Sequence, residues 1–298
     1  MIEKSKYMKN GMVGGYRLVG RVGCGCSGEV WSAIDAATGG VAALKIYRGG
    51  EDVRPYAEHE YSAALRFRHA NILRPLSMFE ADGCPVIVLP YCQGRAVDGV
   101  AGYMSEFQIW RLLGDVSGAL TEMHAGGYGH FDIQPSNILW TGRSFMLSDF
   151  GSCRPADGVP SRHAADDPSS FRFEAPEVSA GSYALPGDVW SLGATAFCLY
   201  MGTRVFNGLG GRAQHRDSPL PYMRKSMPEL SELVCRCIDY EPSRRPSAAE
   251  VCRIAAENIA RCEERNPVRR RMPDAGRSRA AADGADFWPE RMNDGKQR

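Results

Sequence analysis

Hydrophobic positions change their period along this chain, and the change divides it into two parts. Between Tyr16 and Ile46 short apolar runs are broken by turn residues. The order reads strand, glycine-rich turn, a strand carrying Val30 and Ile34, a turn at Thr38-Gly39-Gly40, and a strand over Val41 to Ile46. From about Asp52 to Arg68 the period lengthens, and Tyr56, Glu60, Ala64 and Phe67 share one face at helical spacing. Two further strands, about Leu73 to Glu80 and Pro85 to Leu89, complete a small β-rich part, and Gly94 opens the crossing to a second part. From Ser105 the pattern is helical. Phe107, Trp110, Leu113, Val116, Leu120 and Met123 form an apolar stripe that Gly126-Gly127 stops. Asp188 to Met201 is apolar all round, which predicts a buried helix. Leu230 to Ile238 and Ala248 to Arg261 read as further helices, and no internal repeat is visible.

The two ends behave differently from the middle. Residues 1–13 are expected to form a flexible leader. Beyond Glu263 large hydrophobes nearly vanish apart from Phe287-Trp288, which predicts a disordered tail over residues 263–298. The arginine triplet from Arg269 to Arg271 suits a docking or localisation signal as well as a plain solvated tail. At 298 residues and 44% hydrophobic, the chain can bury one large core or two modest ones. A net charge of +1 gives no reason to expect a nucleic-acid partner. Leu192 to Met201 is too short for the roughly 18 apolar residues of a membrane span, so no membrane partner is expected. Met1 to Lys6 carries charges with no apolar stretch behind them, which reads as cytoplasmic. The ten cysteines are then expected as reduced thiols. Cys24/Cys26 and Cys235/Cys237 are spaced too closely for a zinc knuckle, and Cys198, Cys235, Cys237 and Cys252 read as small buried hydrophobes.

Five short motifs then occur in order: Gly23-Cys24-Gly25-Cys26-Ser27-Gly28-Glu29-Val30, Ala42-Ala43-Leu44-Lys45, His130-Phe131-Asp132-Ile133-Gln134-Pro135-Ser136-Asn137, Asp149-Phe150-Gly151 and Ala175-Pro176-Glu177. Any one alone is weak in a chain with 33 glycines; together and in order they are specific. From about Tyr16 to Cys262 the chain resembles the eukaryotic-type protein kinase family. Pro135 and Ser136 look like its serine/threonine branch. The resemblance implies an α+β, two-lobed protein kinase fold over residues 14–262, with a small β-rich N-lobe (14–91) and a larger, mainly helical C-lobe (92–262). It implies ATP and Mg²⁺ as cofactors and a protein substrate presenting serine or threonine.

The same resemblance assigns roles. Gly23, Gly25 and Gly28 let the backbone fold over the triphosphate, since a side chain would hold the amides away. Lys45 pairs with α- and β-phosphate oxygens. Glu60, nine residues before His69, is the acid expected to hold Lys45; Glu58 is the competitor, on a face turned away from Ala64 and Phe67. Asp132 matches the catalytic base, and Asn137 and Asp149 match the two metal-holding groups, whose hard oxygens suit Mg²⁺. His130 and Phe150 are expected as packing residues. For the adenine slot, Val22 and Val30 match the roof, Ala43 the small wall, Leu139 the floor and Leu89 the gatekeeper. The Pro90 carbonyl and the Cys92 backbone match the hinge. Arg245 matches the arginine that pairs with Glu177. Small-molecule kinases of the aminoglycoside and choline type lack the Ala-Pro-Glu platform seen here, and Asp188-Val189-Trp190-Ser191-Leu192-Gly193 also belongs to the protein-kinase large lobe.

Three positions depart from the family pattern. Phe131 stands where regulated kinases carry an arginine that clamps a phosphate on the activation loop, so loop phosphorylation is not expected as the main switch. Gln134 replaces the catalytic-loop lysine and loses its charge; losing one such group commonly costs about 10²–10³ in rate. A slow kinase is expected, with a nucleotide-binding scaffold as the first alternative and a small-molecule kinase as the second. Cys24 and Cys26 in the glycine loop suit either a redox brake and covalent handle or merely tolerated small residues. Between Asp149 and Glu177 lie Arg154, Arg162, Asp166, Asp167 and Ser169. Ser170 there aligns with the family's hydroxyl-selecting threonine, within reach of Gln134. Substrate, regulator and oligomeric state are not specified by the sequence.

Overall fold

The computed structural model describes residues 7–25, 27–92, 96–157, 172–205 and 228–265. Cys26, Gly94, Arg162, Asp166, Asp167, Ser169, Ser170 and the tail from 266 onward, with Arg269 to Arg271 and Phe287-Trp288, lie outside the described residues.

Six antiparallel strands form the N-terminal sheet: β1 (Met12–Val13), β2 (Tyr16–Cys24), β3 (Gly28–Asp35), β4 (Val41–Tyr47), β5 (Ser77–Ala81) and β6 (Cys84–Pro90), in the order β1-β2-β3-β4-β6-β5. Alternation along β4 serves two cores. Leu44 and Ile46 pack with Leu18, Trp31, Ala33, Val86 and Val88 on one face. Lys45 and Tyr47 take the other face, towards helix α1 (Arg54–Arg66). Pro55, at the start of α1, lacks the amide that the first turn leaves unbonded anyway. Its buried face carries Ala57, Glu60, Ala63 and Ala64, so one carboxylate sits in an otherwise small and apolar stripe.

The C-terminal part is helical around α2 (Glu106–Ala125), followed by α3 (Pro176–Ser179), α4 (Pro186–Met201), α5 (Pro228–Cys237) and α6 (Ala248–Arg265). Ser105 starts α2 with a capping box: its hydroxyl accepts from Gln108 N while Gln108 Oε1 accepts from Ser105 N. Trp110, Leu113, Val116, Leu120 and Met123 are fully buried, each contributing about 1.5–3 kcal/mol by leaving water, whereas Phe107 is half-buried. Every residue of α4 from Gly187 to Leu199 is buried, as the all-round apolar pattern predicts. Four short strands carry the loops between α2 and α3. They are β7 (Tyr128–Gly129), β8 (Ile138–Trp140), β9 (Phe145–Leu147) and β10 (Arg154–Pro155), pairing β8 with β9 and β7 with β10. Among the described residues no helix is long and apolar enough to cross a membrane.

The structure corrects three expectations of local structure. Met12-Val13 pair with β2, Val13 is 2% exposed, and Leu18 N bonds to Gly11 O at 2.9 Å; the expected leader therefore contributes a strand to the sheet's first edge. The strand expected from Leu73 begins only at Ser77, because Leu73 N donates to Leu147 O at 2.9 Å and Leu147 N to Asn71 O at 2.8 Å. That apolar run is tied to β9 in the large lobe instead of to the sheet. Helix α6 extends through Arg265, past the expected start of the tail.

Candidate active site

The turn joining β2 and β3 is closed by Gly25 N donating to Gly28 O at 2.9 Å. Its glycines differ in kind. A Cβ on Gly28 would lie 2.1 Å from Ile46 O, so the approach of β3 to β4 itself demands glycine. A Cβ on Gly25 would meet nothing within 4 Å, and one on Gly23 would touch only Val30. The space beside them is open. Arg48 clips the base of the turn: its Nη2 lies 2.7 Å from Glu29 Oε1 and 3.2 Å from Cys24 Sγ, and Trp31 Nε1 donates to Glu29 Oε2 at 2.9 Å. The exposed Cys24 thiol thus sits beside Arg48.

Lys45 Nζ reaches both oxygens of Glu60, at 2.8 and 2.6 Å, and Asp149 Oδ1 at 3.1 Å. Glu60 is the partner, as expected, and Glu58 is exposed. Burial disfavours the Lys45 charge, but Asp149 and then Glu60 outweigh it and hold the ammonium well above its usual range. Burial pushes the Glu60 carboxyl up against the pull of Lys45, while Asp149, although also desolvated, is held below the usual carboxylate range by Lys45. Tyr47 adds a hydroxyl donor to Glu60 Oε2. Behind Glu60, Leu89 lines a recess with Ala64, Leu73, Ile87 and Phe150. Val30, Ala43, Leu89, Pro90, Cys92 and Leu139 are half-buried, and Val22 is exposed at the open edge. Ala43 stands opposite Leu89 in register, Val30 opposite Lys45, and a bridge from Ala96 to Leu139 brings the crossing segment onto β8.

The loop between β7 and β8 hangs on Asp188 of α4. That carboxylate, 0% exposed, accepts from His130 N at 2.8 Å, Phe131 N at 2.7 Å and His124 Nε2 at 2.9 Å. These bonds hold Phe131 at φ 57°, a left-handed conformation costly for a side chain of this size. His130 is a packing residue, as expected: its ring meets Phe150 edge-on at 5.0 Å, and burial keeps the imidazole below its usual range and neutral. Its Nδ1 accepts from Asp132 N at 3.3 Å, which assigns the proton to Nε2, bonded to Ser148 O at 3.2 Å.

Asp132 is oriented by two amides. Gln134 Nε2 donates to Oδ1 at 2.8 Å, and Asn137 Nδ2 donates to Oδ2 at 2.8 Å and to the Asp132 carbonyl at 2.9 Å. With Nδ2 committed, Asn137 keeps Oδ1 as an acceptor, which takes a bond from Ser136 Oγ at 3.4 Å. Ser148 N and Oγ bond the Asn137 carbonyl at 2.9 and 3.0 Å, tying Asn137 to the residue preceding Asp149. Phe131 packs edge-on against Tyr183 at 5.2 Å, and the Arg154 guanidinium lies 4.5 Å over the same Tyr183 ring. Arg245 grips Glu177 with two bonds, 2.5 and 2.9 Å, as expected from the sequence.

Sequence reasoning missed Tyr47, Arg48 with Glu29, and the role of Asp188. Of these, Tyr47 had a readable signal, since it follows Lys45 by two in a strand and must share its face.

A family model described as "Protein kinase domain" matches residues 16–255. The chain is 27% identical over 303 residues to the serine/threonine-protein kinase Pkn1 of Myxococcus xanthus, covering 89% of this chain and 43% of that protein. It is 29% identical over 249 residues to the 3-phosphoinositide-dependent protein kinase 1 of Arabidopsis thaliana, covering 76% of this chain and 50% of that one. The chain therefore spans half or less of these two relatives. Among solved structures, the PknI kinase domain of Mycobacterium tuberculosis superposes with a TM-score of 0.61 at 24% identity, over 85% of this chain and 99% of that one.

Proposed function

Because the chain belongs to the protein kinase domain family, we propose that it transfers the γ-phosphoryl group of ATP to serine or threonine hydroxyls of protein substrates. The observation that carries this reading is the convergence of Glu60 and Asp149 on Lys45 Nζ, in a chain whose Asp132 is held by Asn137 and Gln134. The names of the curated relatives support the serine/threonine class, and the Arg245–Glu177 pair supports a peptide-docking platform.

The residues present fit ATP and Mg²⁺. The open space at Gly25 suits close approach by phosphate, which the protein's own packing does not explain. Asn137 Oδ1 and Asp149 are hard oxygen donors, few in number, as Mg²⁺ prefers when phosphates and water complete its shell. When bound, Mg²⁺-ATP supplies the electrophilic γ-phosphoryl group. Lys45 holds α- and β-phosphate oxygens, with Glu60 fixing the ammonium. Val22, Val30, Ala43 and Leu139 enclose adenine, and the Pro90 carbonyl and Cys92 backbone bond its edge. Asp132 accepts the substrate hydroxyl proton on its carboxylate.

Gln134 makes this a slow kinase in our reading. Its amide is directed at Asp132 and brings no positive charge to the γ-phosphate, a loss of about 10²–10³ in rate. The same contact favours a second reading, a nucleotide-binding scaffold. Phe131 packed on Tyr183 supports control without a loop phosphate, since an aromatic edge fills the place of a clamping arginine. Free thiols throughout the described residues suit a reducing, cytoplasmic setting.

Purified protein incubated with γ-labelled ATP, Mg²⁺ and casein, beside Asp132→Ala, tests the proposal. Label that Asp132→Ala abolishes is the expected outcome. Tight ATP binding with no single-turnover transfer from the wild type would favour the scaffold.

A further inference from the structure

Tyr47 follows Lys45 by two positions on β4, so the pleat sends both side chains towards α1. It is 2% exposed and packs with Ala57 of α1 and Ile87 of β6. Its hydroxyl donates to Glu60 Oε2, the oxygen that Lys45 Nζ approaches at 2.6 Å, and Lys45 Nζ lies 5.4 Å from the Tyr47 ring centroid. No step described above uses this phenol. Packing alone does not explain it either, since a phenylalanine would fill the space without a hydroxyl that needs a partner.

The demand for such a donor follows from how Lys45 is shared. Its ammonium divides itself between Glu60 and Asp149 and, in the reading above, must also turn to phosphate oxygens. As it turns, a carboxylate only 7% exposed loses part of its cation, and a buried charge short of donors is costly. Tyr47 supplies a neutral donor on the same oxygen. Burial pushes its ionisation far up, so the phenol stays protonated and donating.

We propose that Tyr47 is a positioning residue for the nucleotide: through Glu60 it keeps α1 docked on β4, so that Lys45 is presented to the phosphates. This rests on the reading of Lys45 and Glu60 as nucleotide anchors. A second tether on the same turn of α1, His59 Nε2 to Cys153 O at 2.8 Å, keeps the helix in place when the hydroxyl is removed. Loss of the hydroxyl then loosens Glu60 without unfolding the lobe.

Tyr47→Phe in the full chain removes only the hydroxyl. kcat/KM for ATP is expected to fall about tenfold, as for one hydrogen bond to a charged group, with KM for casein unchanged. In a Glu60→Gln background the same substitution is expected to add no further loss, because Tyr47 acts through Glu60. Tyr47→Met, which also lacks the donor but packs differently, should repeat the pattern. Equal losses in both backgrounds, or no loss where the wild type transfers phosphate and Lys45→Met does not, overturn the role of Tyr47 alone. A wild type that neither binds nor turns over Mg²⁺-ATP, or a Lys45→Met variant equal to it, overturns the anchor reading and this inference together.

Discussion

Lys45 is held by two carboxylates, one of them shared with a phenol, whereas Asp132 is held by two neutral amides. The first arrangement buries the charges of Lys45 and Glu60 while Asp149 stays partly exposed: removing Lys45 leaves Glu60 short of a partner in a place water hardly reaches. The two amides of the second fix the direction of a carboxylate but, being neutral, bring no charge of their own to a neighbouring phosphate. In the proposed mechanism the two regions therefore divide the work unevenly. Anchoring is strongly built, and charge neutralisation at the reacting phosphoryl group is weakly built.

Lys45→Met breaks the comparison most severely. Glu60 and Asp149 lose their shared cation, so single-turnover transfer is expected to fall by about 10³ and unfolding stability, read by urea denaturation, by about 3 kcal/mol. Gln134→Lys sharpens it from the other side. A cation restored beside Asp132 should raise the transfer rate by about tenfold or more, while ATP affinity changes little. A null result there would mean that the missing charge is not what limits the reaction.

The smallest effect concerns pH. Burial holds the His130 imidazole below its ordinary value of 6.5, so as pH falls through 6.5 the unfolded chain takes up a proton that the folded chain refuses. Stability contributed by the neutral ring is present above that pH and is lost at up to about 1.4 kcal/mol per unit as pH drops towards the folded value. Urea midpoints at pH 7.5 and 5.5 measure it, and His130→Phe should flatten that part of the profile.

Periodicity carried most of the fold. The stripe of α2 and the all-round apolar α4 are patterns that burial enforces, and they survive in the structure, whereas the expected face of α1 holds at Glu60 and Ala64 while Tyr56 is half-buried and Phe67 lies beyond the helix. Leu73 misled because an apolar run looks the same whether its amides bond a neighbouring strand or, as here, Leu147 of the other lobe. Met12-Val13 is too short to display any period. At the site, motif spacing pointed to Lys45, Glu60 and Asp132, and the structure pairs Lys45 with Glu60. Spacing does not say which atom an amide faces, so the turn of Gln134 onto Asp132 and the hub at Asp188 needed coordinates.

That hub has a consequence for the order in which the chain matures. The loop carrying Asp132 bends through Phe131 in a shape it would not adopt alone, and the carboxylate that holds it comes from a helix 57 residues further on. A chain emerging from synthesis would thus carry every residue of the loop before α4 exists to shape it. In the proposed mechanism competence therefore waits on α4, and a half-made molecule would lack the carboxylate that shapes the loop around its base.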